Sequence, residues 1–192
     1  MPLLHLLRQN PVIAAVKDNA SPQLAIDSEC QFISVLYGNI CTISNIVKRL
    51  RTPGNMLLFM LICWKARQIK KSLFSFWKLV TEEADGIIST KASMLKAARA
   101  EGFSVFIACL LLIQFRFTTL ISKLRNRIRI VLGSCRAVCP KCWSWVTEKI
   151  RQPLIAGGLV CDEEDARNAI NAGVVALSTT NTGGLDVSEK LL

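Results

Sequence analysis

The residues with the clearest chemistry lie late in the chain, between Gln152 and Gly184. There Gly157-Gly158 and Ser178-Thr179-Thr180 each follow a short apolar run. Glycine leaves backbone N–H groups bare, and serine and threonine add hydroxyls. Together these are the donors that hold a phosphate. Lys17, Thr90 and Lys91 also stand just past apolar runs, where the two lysines could add positive charge around the same anion. The same residues would equally serve a tight turn and a polar loop, with both lysines solvated. A second, basic set is Lys48, Arg49, Arg51, Lys96 and Arg99, suited to RNA phosphates and equally to solvated helix faces.

Catalytic patterns are missing. No Ser-His-Asp arrangement, no paired carboxylates at strand ends and no nucleotide-binding glycine motif occur, so no catalytic residue is assigned. Cys139-Pro140-Lys141-Cys142 is a CxxC with Cys135 close before it. His5 is the only histidine and there is no second CxxC, so no metal site is assigned either.

The elements that must position the glycine and hydroxyl pairs read as a βαβ unit. Pro153–Ala156 is a strand expected to stop at Gly157-Gly158. Asp162 can cap a helix whose first turn holds Glu163, Glu164 and Asp165, and Gly173 ends that helix. Val174–Leu177 is the next strand, with 178–182 a polar loop. Earlier strands are expected at 12–16, 32–36, 57–63, 86–88, near 103–113 and near 128–132. Helices are expected at 3–9, from Ser21-Pro22 to Asp27, and at 43–50, 92–100 and 146–150. Eight strands alternating with helices predict an α/β protein, a small (β/α)8 TIM-type barrel, with residues 1–192 as a single barrel domain. Its strand C-termini would share one face, and the loops after strands seven and eight are where such barrels hold phosphate.

The bulk numbers conceal a division. The chain of 192 residues is half apolar and carries a net charge of +10, which invites a nucleic-acid or membrane partner. Residues 56–79 and 103–145 hold 12 of the 24 basic residues, none of the 14 acidic ones and all four tryptophans. The remainder is slightly acidic. The apolar run Phe103–Ile113 is 11 residues long, too short for a span of about 20, and Met1–Gln9 does not read as a signal peptide. A cytoplasmic protein with no membrane partner is expected.

Three blocks carry a family resemblance: RQNPVIAAVKDN with LYGNICTISNIVKRL, then ADGIISTKASMLKAARAEG, then TEKIRQPLIAGGLVCDEEDARNAINAGVVALSTTN. They cover a little over half the chain and closely resemble the bacterial glycerol-3-phosphate-responsive antiterminators of glycerol-uptake operons. The resemblance implies a (β/α)8-type fold, glycerol 3-phosphate as a small phosphorylated effector, no cofactor and no enzymatic activity. It also implies binding to leader mRNA so that a terminator does not form. The two acid-free windows do not resemble the family. Read in a shifted frame with suitable synonymous codons, they yield a strand ending His-Val-Asp and a strand ending Leu-Pro-Gly, both similar to the missing family segments. A base lost or gained near codons 55, 79, 105 and 143 is therefore expected, with barrel units 3, 5 and 6 incomplete or distorted. The competing readings are a phosphosugar-binding barrel enzyme of isomerase or aldolase type and a basic membrane-surface protein.

Overall fold

Short apolar runs that are too brief for helices and bounded by polar residues become strands when both faces are covered. Eight of them do so here: β1 (Val12–Val16), β2 (Phe32–Val35), β3 (Met56–Met60), β4 (Gly86–Ser89), β5 (Ser104–Leu110), β6 (Ile130–Cys135), β7 (Leu154–Gly158) and β8 (Ala176–Thr179). Six helices accompany them among the described residues: α1 (Pro2–Gln9), α2 (Pro22–Asp27), α3 (Ile43–Leu50), α4 (Ala92–Ala100), α5 (Pro140–Lys149) and α6 (Glu163–Asn171). The computed structural model describes residues 2–19, 21–28, 30–39, 42–61, 84–110, 130–135, 140–158 and 162–180.

All neighbouring strands pair in parallel, and β8 returns to β1, so the sheet closes into a barrel. Following the register round the ring from Ile13 brings one back to β1 about eight residues earlier, the stagger of an eight-stranded barrel. Alternation along each strand then divides the buried residues into two layers. Ile13, Phe32, Leu58, Ile88, Phe106, Ile155 and Ala176 fill the lumen. Helix α1 closes the strand N-terminal end, with Leu7 wholly buried against this set and Leu3 and Leu6 packed beside it. Val12, Ala14, Ile33, Val35, Leu57, Phe59, Ile87 and Leu177 face outward to the apolar stripes of the helices, such as Ile43, Ile46, Val47 and Leu50 of α3. Each large side chain buried in this way stabilises the fold by about 1.5–3 kcal/mol.

Polar ties set the ladder at the same end. Asp85 accepts hydrogen bonds from the Leu57 backbone N–H (2.8 Å) and from Arg51 Nη1 (2.9 Å), and Arg51 also donates to the Asn55 carbonyl (2.9 Å). Asn55 Nδ2 in turn donates to the Leu50 carbonyl at the end of α3 (2.7 Å). One short network thereby joins α3, β3 and β4.

The structure departs from the sequence reading mainly at strand ends. Gly157 and Gly158 belong to β7, and Ser178 and Thr179 to β8, because neighbouring strands hold them in the ladder: Gly157 pairs with Ser134 and Ser178, and Gly158 with Cys135. The third strand ends at Met60 and not at residue 63, and β6 runs on to Cys135. Helix α5 begins six residues earlier than expected, with Pro140 in its first turn, where proline is well suited. The strands of units 3, 5 and 6 all pair in the ring. The segments 62–83, 111–129 and 136–139, which hold most of the two acid-free windows and Cys139 of the CxxC, lie outside the described residues.

Gly86 tests the packing of the lumen floor. A Cβ there would meet Leu58 Cδ2 at 2.8 Å, Phe106 Cε2 at 3.1 Å and the Ser104 carbonyl oxygen at 3.1 Å. Side chains can give way, but the backbone oxygen of a paired strand cannot. Gly86→Ala should cost about 1–3 kcal/mol in urea unfolding. An unchanged midpoint would mean that the floor is looser than these contacts require.

Candidate phosphate-binding site

Because every strand runs in the same direction, all eight C-terminal ends open on one mouth. Lys17 follows β1, Thr90 and Lys91 follow β4, Gly157 and Gly158 end β7, and Ser178, Thr179 and Thr180 end or follow β8. Strands β7, β8 and β1 are consecutive in the ring, and the register ties Gly157 to Ser178 and Ser178 to Ile13. The glycine pair, Ser178 and Lys17 therefore share one side of the mouth. Thr90 and Lys91 stand across it, on the third strand beyond β1.

Alternation decides which side chains face the lumen. Ser178 pairs with lumen-facing Ile13 and lies two residues past lumen-facing Ala176, so it faces inward. Thr179 does not. It is buried, follows outward-facing Leu177, pairs with outward-facing Ala14, and already has an interaction within the protein. Its hydroxyl is thus removed from the expected site, although its backbone is not. Thr180, Thr90 and Lys17 are exposed at the rim. Lys91 occupies the cap position of α4. Its carbonyl accepts from the Met94 and Leu95 N–H groups (3.1 and 3.2 Å), and its own N–H donates to Ser89 Oγ (3.2 Å), so its backbone is fixed while its side chain is exposed.

The N-terminus of α6 is a poorer anion site than the sequence suggests. Asp162 does cap it, accepting from the Asp165 N–H at 2.9 Å, and Glu163, Glu164 and Asp165 fill the first turn. Four carboxylates already answer the helix dipole there and would repel a phosphate. Of the donors expected from sequence, the Gly158 and Thr180 backbone and the exposed Lys17 remain at the mouth on the β7–β8–β1 side. Gly158 has φ +116°, a conformation other residues rarely adopt, which makes its backbone direction specific to glycine.

One candidate was not singled out from sequence. Ser34 of β2 is 2% exposed, and its hydroxyl has no hydrogen-bond partner among the described residues. Ile33 and Val35 on either side face outward, and Ser34 pairs with Ala15 of β1 and with lumen-facing Leu58. Its side chain therefore points into the lumen. Ser34 and Ser178 flank β1 in the same interior layer, since alternate strands contribute to each layer of such a barrel. The layer above, toward the mouth, carries Ala15, Ala108 and Gly157, with Met60 its large member. On the β7–β8–β1–β2 side small residues stand above two hydroxyls, a polar strip, or slot, of the lumen wall, with Ile88 in the hydroxyls' own layer and Met60 above it. The signal in sequence was a serine within the apolar run Phe32–Leu36, but its facing depends on register.

Tyr37, just past β2, also has a buried hydroxyl without a partner among the described residues. Burial pushes its phenol up, the Arg49 charge draws it down, and the Asp18 carboxylate pushes it up again. It packs against the outer layer and so is not part of the slot.

The basic set lies elsewhere. Helices return antiparallel to the strands, so the last turns of α3 and α4 sit at the strand N-terminal end, opposite the mouth. Lys48 and Arg49 are exposed there, as is Arg99, with Lys96 exposed midway along α4. Arg51 is committed to Asp85 and Asn55 and is correspondingly less available to RNA. Among the described residues, no group of three His, Cys, Asp or Glu could hold a metal, and no helix is long and apolar enough to cross a membrane.

A family model described as glycerol-3-phosphate responsive antiterminator matches residues 12–183 of the chain. An Escherichia coli (strain K12) protein described as "Uncharacterized protein YgcP" is 62% identical over 192 residues, covering 100% of both chains. Among solved structures, a glycerol uptake operon antiterminator regulatory protein from Listeria monocytogenes superposes with a TM-score of 0.76 at 19% identity, covering 88% of this chain and 91% of its own. A glycerol uptake operon antiterminator-related protein from Thermotoga maritima gives 0.74 at 24% identity, covering 92% and 98%. At these identities the two structures speak for the fold alone.

The Ser34 hydroxyl gives a test with a definite sign. A buried donor without a partner is unfavourable, and removing it relieves that cost. Ser34→Ala should stabilise the ligand-free protein by about 1 kcal/mol in urea unfolding. A clear destabilisation would show that the hydroxyl serves the fold.

Proposed function

The chain belongs to the glycerol-3-phosphate responsive antiterminator family, and from that premise we propose that it is a cytoplasmic regulator that holds glycerol 3-phosphate in the barrel mouth and binds the leader mRNA of a glycerol-metabolism operon. The observation that carries this reading is the family match from β1 to beyond β8, because it takes in every strand end that forms the mouth. In this reading the phosphate lies on the β7–β8–β1 side. There the backbone N–H groups of Gly158 and Thr180 donate to it, and Lys17 supplies charge. The glycerol hydroxyls extend down the slot toward Ser178 and Ser34. Thr90 and Lys91 complete the rim from across the mouth.

The slot provides hydroxyls, backbone groups and small apolar side chains. Among the described residues it contains no acid, base or nucleophile of the kind phosphosugar isomerases and aldolases use, which favours binding over turnover. The ligand acts by binding one conformation more tightly than another, and RNA competence follows that conformation. RNA itself is held largely through its phosphates by Lys and Arg, with affinity that falls as salt rises.

We further propose that the two acid-free windows are out of frame. The apolar runs inside them, Met56–Met60, Ser104–Leu110 and Ile130–Cys135, still form strands of the ring, because a buried parallel strand needs little more than an apolar run. In the shifted reading the His-Val-Asp and Leu-Pro-Gly text stands at the ends of such strands.

Three measurements test these readings. Calorimetric titration should show glycerol 3-phosphate binding without turnover, and Lys17→Ala should weaken it about tenfold, the effect of losing one charge-assisted contact. Leader RNA should be retained on filters better with the ligand than without it. Catalytic consumption of a phosphosugar, or ligand binding with no RNA retention under any condition, would overturn the regulator. The nucleotide sequence should show a base lost or gained near codons 55, 79, 105 and 143, and a coding sequence with no alternative reading there ends the frameshift account.

A further inference from the structure

At the opposite end of the barrel from the mouth, a cavity of about 830 Å3 lies between α1, the α4–β5 turn and the α5–β7 connection. We propose that this cavity is where the chain docks RNA, taking one nucleotide of a single strand together with its flanking phosphates. The proposal rests on the RNA-binding reading above and adds the place and the mode.

Charge is the first argument. Arg8, Arg99 and Arg151 line the cavity, all three are exposed, and among the described residues no acidic one lines it. Guanidinium groups present the paired donors that fit phosphate oxygens. Arg8 and Arg99 stand in the last turns of α1 and α4, where positive charge also offsets the helix dipole. That does not account for Arg151, which follows α5, nor for three arginines from separate elements meeting round one hollow. Arg99 already has an interaction within the protein, so Arg8 and Arg151 are the ones the proposal relies on.

The second argument is the floor. Leu3 and Leu4 of α1, Phe103, Pro153 and Leu154 supply apolar surface between the arginines. A basic rim around an apolar floor matches the chemistry of a nucleotide, whose base has an apolar face and whose phosphates are charged. The volume falls within the range of about 300–1,000 Å3 typical of small-ligand pockets. It is large enough for a single unpaired nucleotide. The choice of RNA in place of a free nucleotide comes from the exposed Lys48 and Arg49 at the same barrel end, further cations for the phosphates of a longer strand.

The test uses the full chain and a fluorescein-labelled single-stranded oligoribonucleotide of about 15 nucleotides, followed by anisotropy across a salt series. The double variant Arg8→Ala/Arg151→Ala should lose affinity about tenfold or more. Its salt slope should fall by about 1.4, the contribution of two charges on single-stranded RNA. Arg167→Ala on α6, which removes one charge on another face, should leave affinity nearly unchanged. Photocrosslinking should place the oligonucleotide on peptides containing residues 3–8, 99–105 and 147–154. Thermal unfolding of each variant separates a folding defect from a binding defect, and crosslink positions on the unmodified chain do not depend on any variant folding. Crosslinks confined to other surfaces, or equal losses in the Arg8/Arg151 and Arg167 variants, overturn the placement while leaving the RNA-binding reading intact. Absence of RNA binding at low salt overturns both.

Discussion

The interior of a closed parallel barrel can be filled only by side chains, and how that filling is divided along the axis governs the rest of this molecule. The lower half is solid. Ile13, Phe32, Leu58, Phe106 and Ile155 meet there, and α1 seals the end with Leu7. The upper half brings Ser34, Ser178, Ala15, Ala108 and Gly157 in beside Ile88 and Met60, so small and polar side chains replace part of the large apolar filling. Filling and polarity are thereby separated by height within one set of strands. The large residues beneath fix the register, and the register in turn presents the small polar ones above.

That division explains which parts of the structure the amino-acid sequence made legible. Helices α2, α3 and α4 and strand β1 fall where local chemistry placed them, because Pro22 favours a first turn and Gly38 and Gly102 take positive φ where elements end. The seventh strand was read as too short, and the eighth as starting and ending two residues too early. Glycines and hydroxyl residues look like punctuation along the chain, yet a paired neighbour on each side keeps Gly157, Gly158, Ser178 and Thr179 in the ladder. The start of α5 was obscured by a composition rich in cysteine and tryptophan. The rim residues Lys17, Thr90 and Lys91 were legible as residues that follow apolar runs. The inward facing of Ser34 and the outward facing of Thr179 were not, since one residue of register reverses both.

Electrostatics adds a second asymmetry. Strands pointing toward the mouth and helices returning from it place helix N-termini near the mouth and basic last turns at the far end. At α6 the acidic first turn satisfies its own helix. At the far end, Asp85 takes up Arg51, while Arg8 and Arg151 remain exposed. The two ends of the barrel thus differ in what they can attract, even though the same strands connect them.

The seal formed by α1 has one more consequence. In the binding mode proposed above, with the anion held at the rim by backbone N–H groups, the distance down to Ser34 becomes a standard of length, because packed side chains close the barrel beneath it. A ligand too short leaves the floor hydroxyl unmet, and one too long cannot seat its charge. Selectivity of that kind needs no residue dedicated to rejecting the wrong molecule. It follows from a helix that packs beneath a barrel and from the serine that faces the space above it.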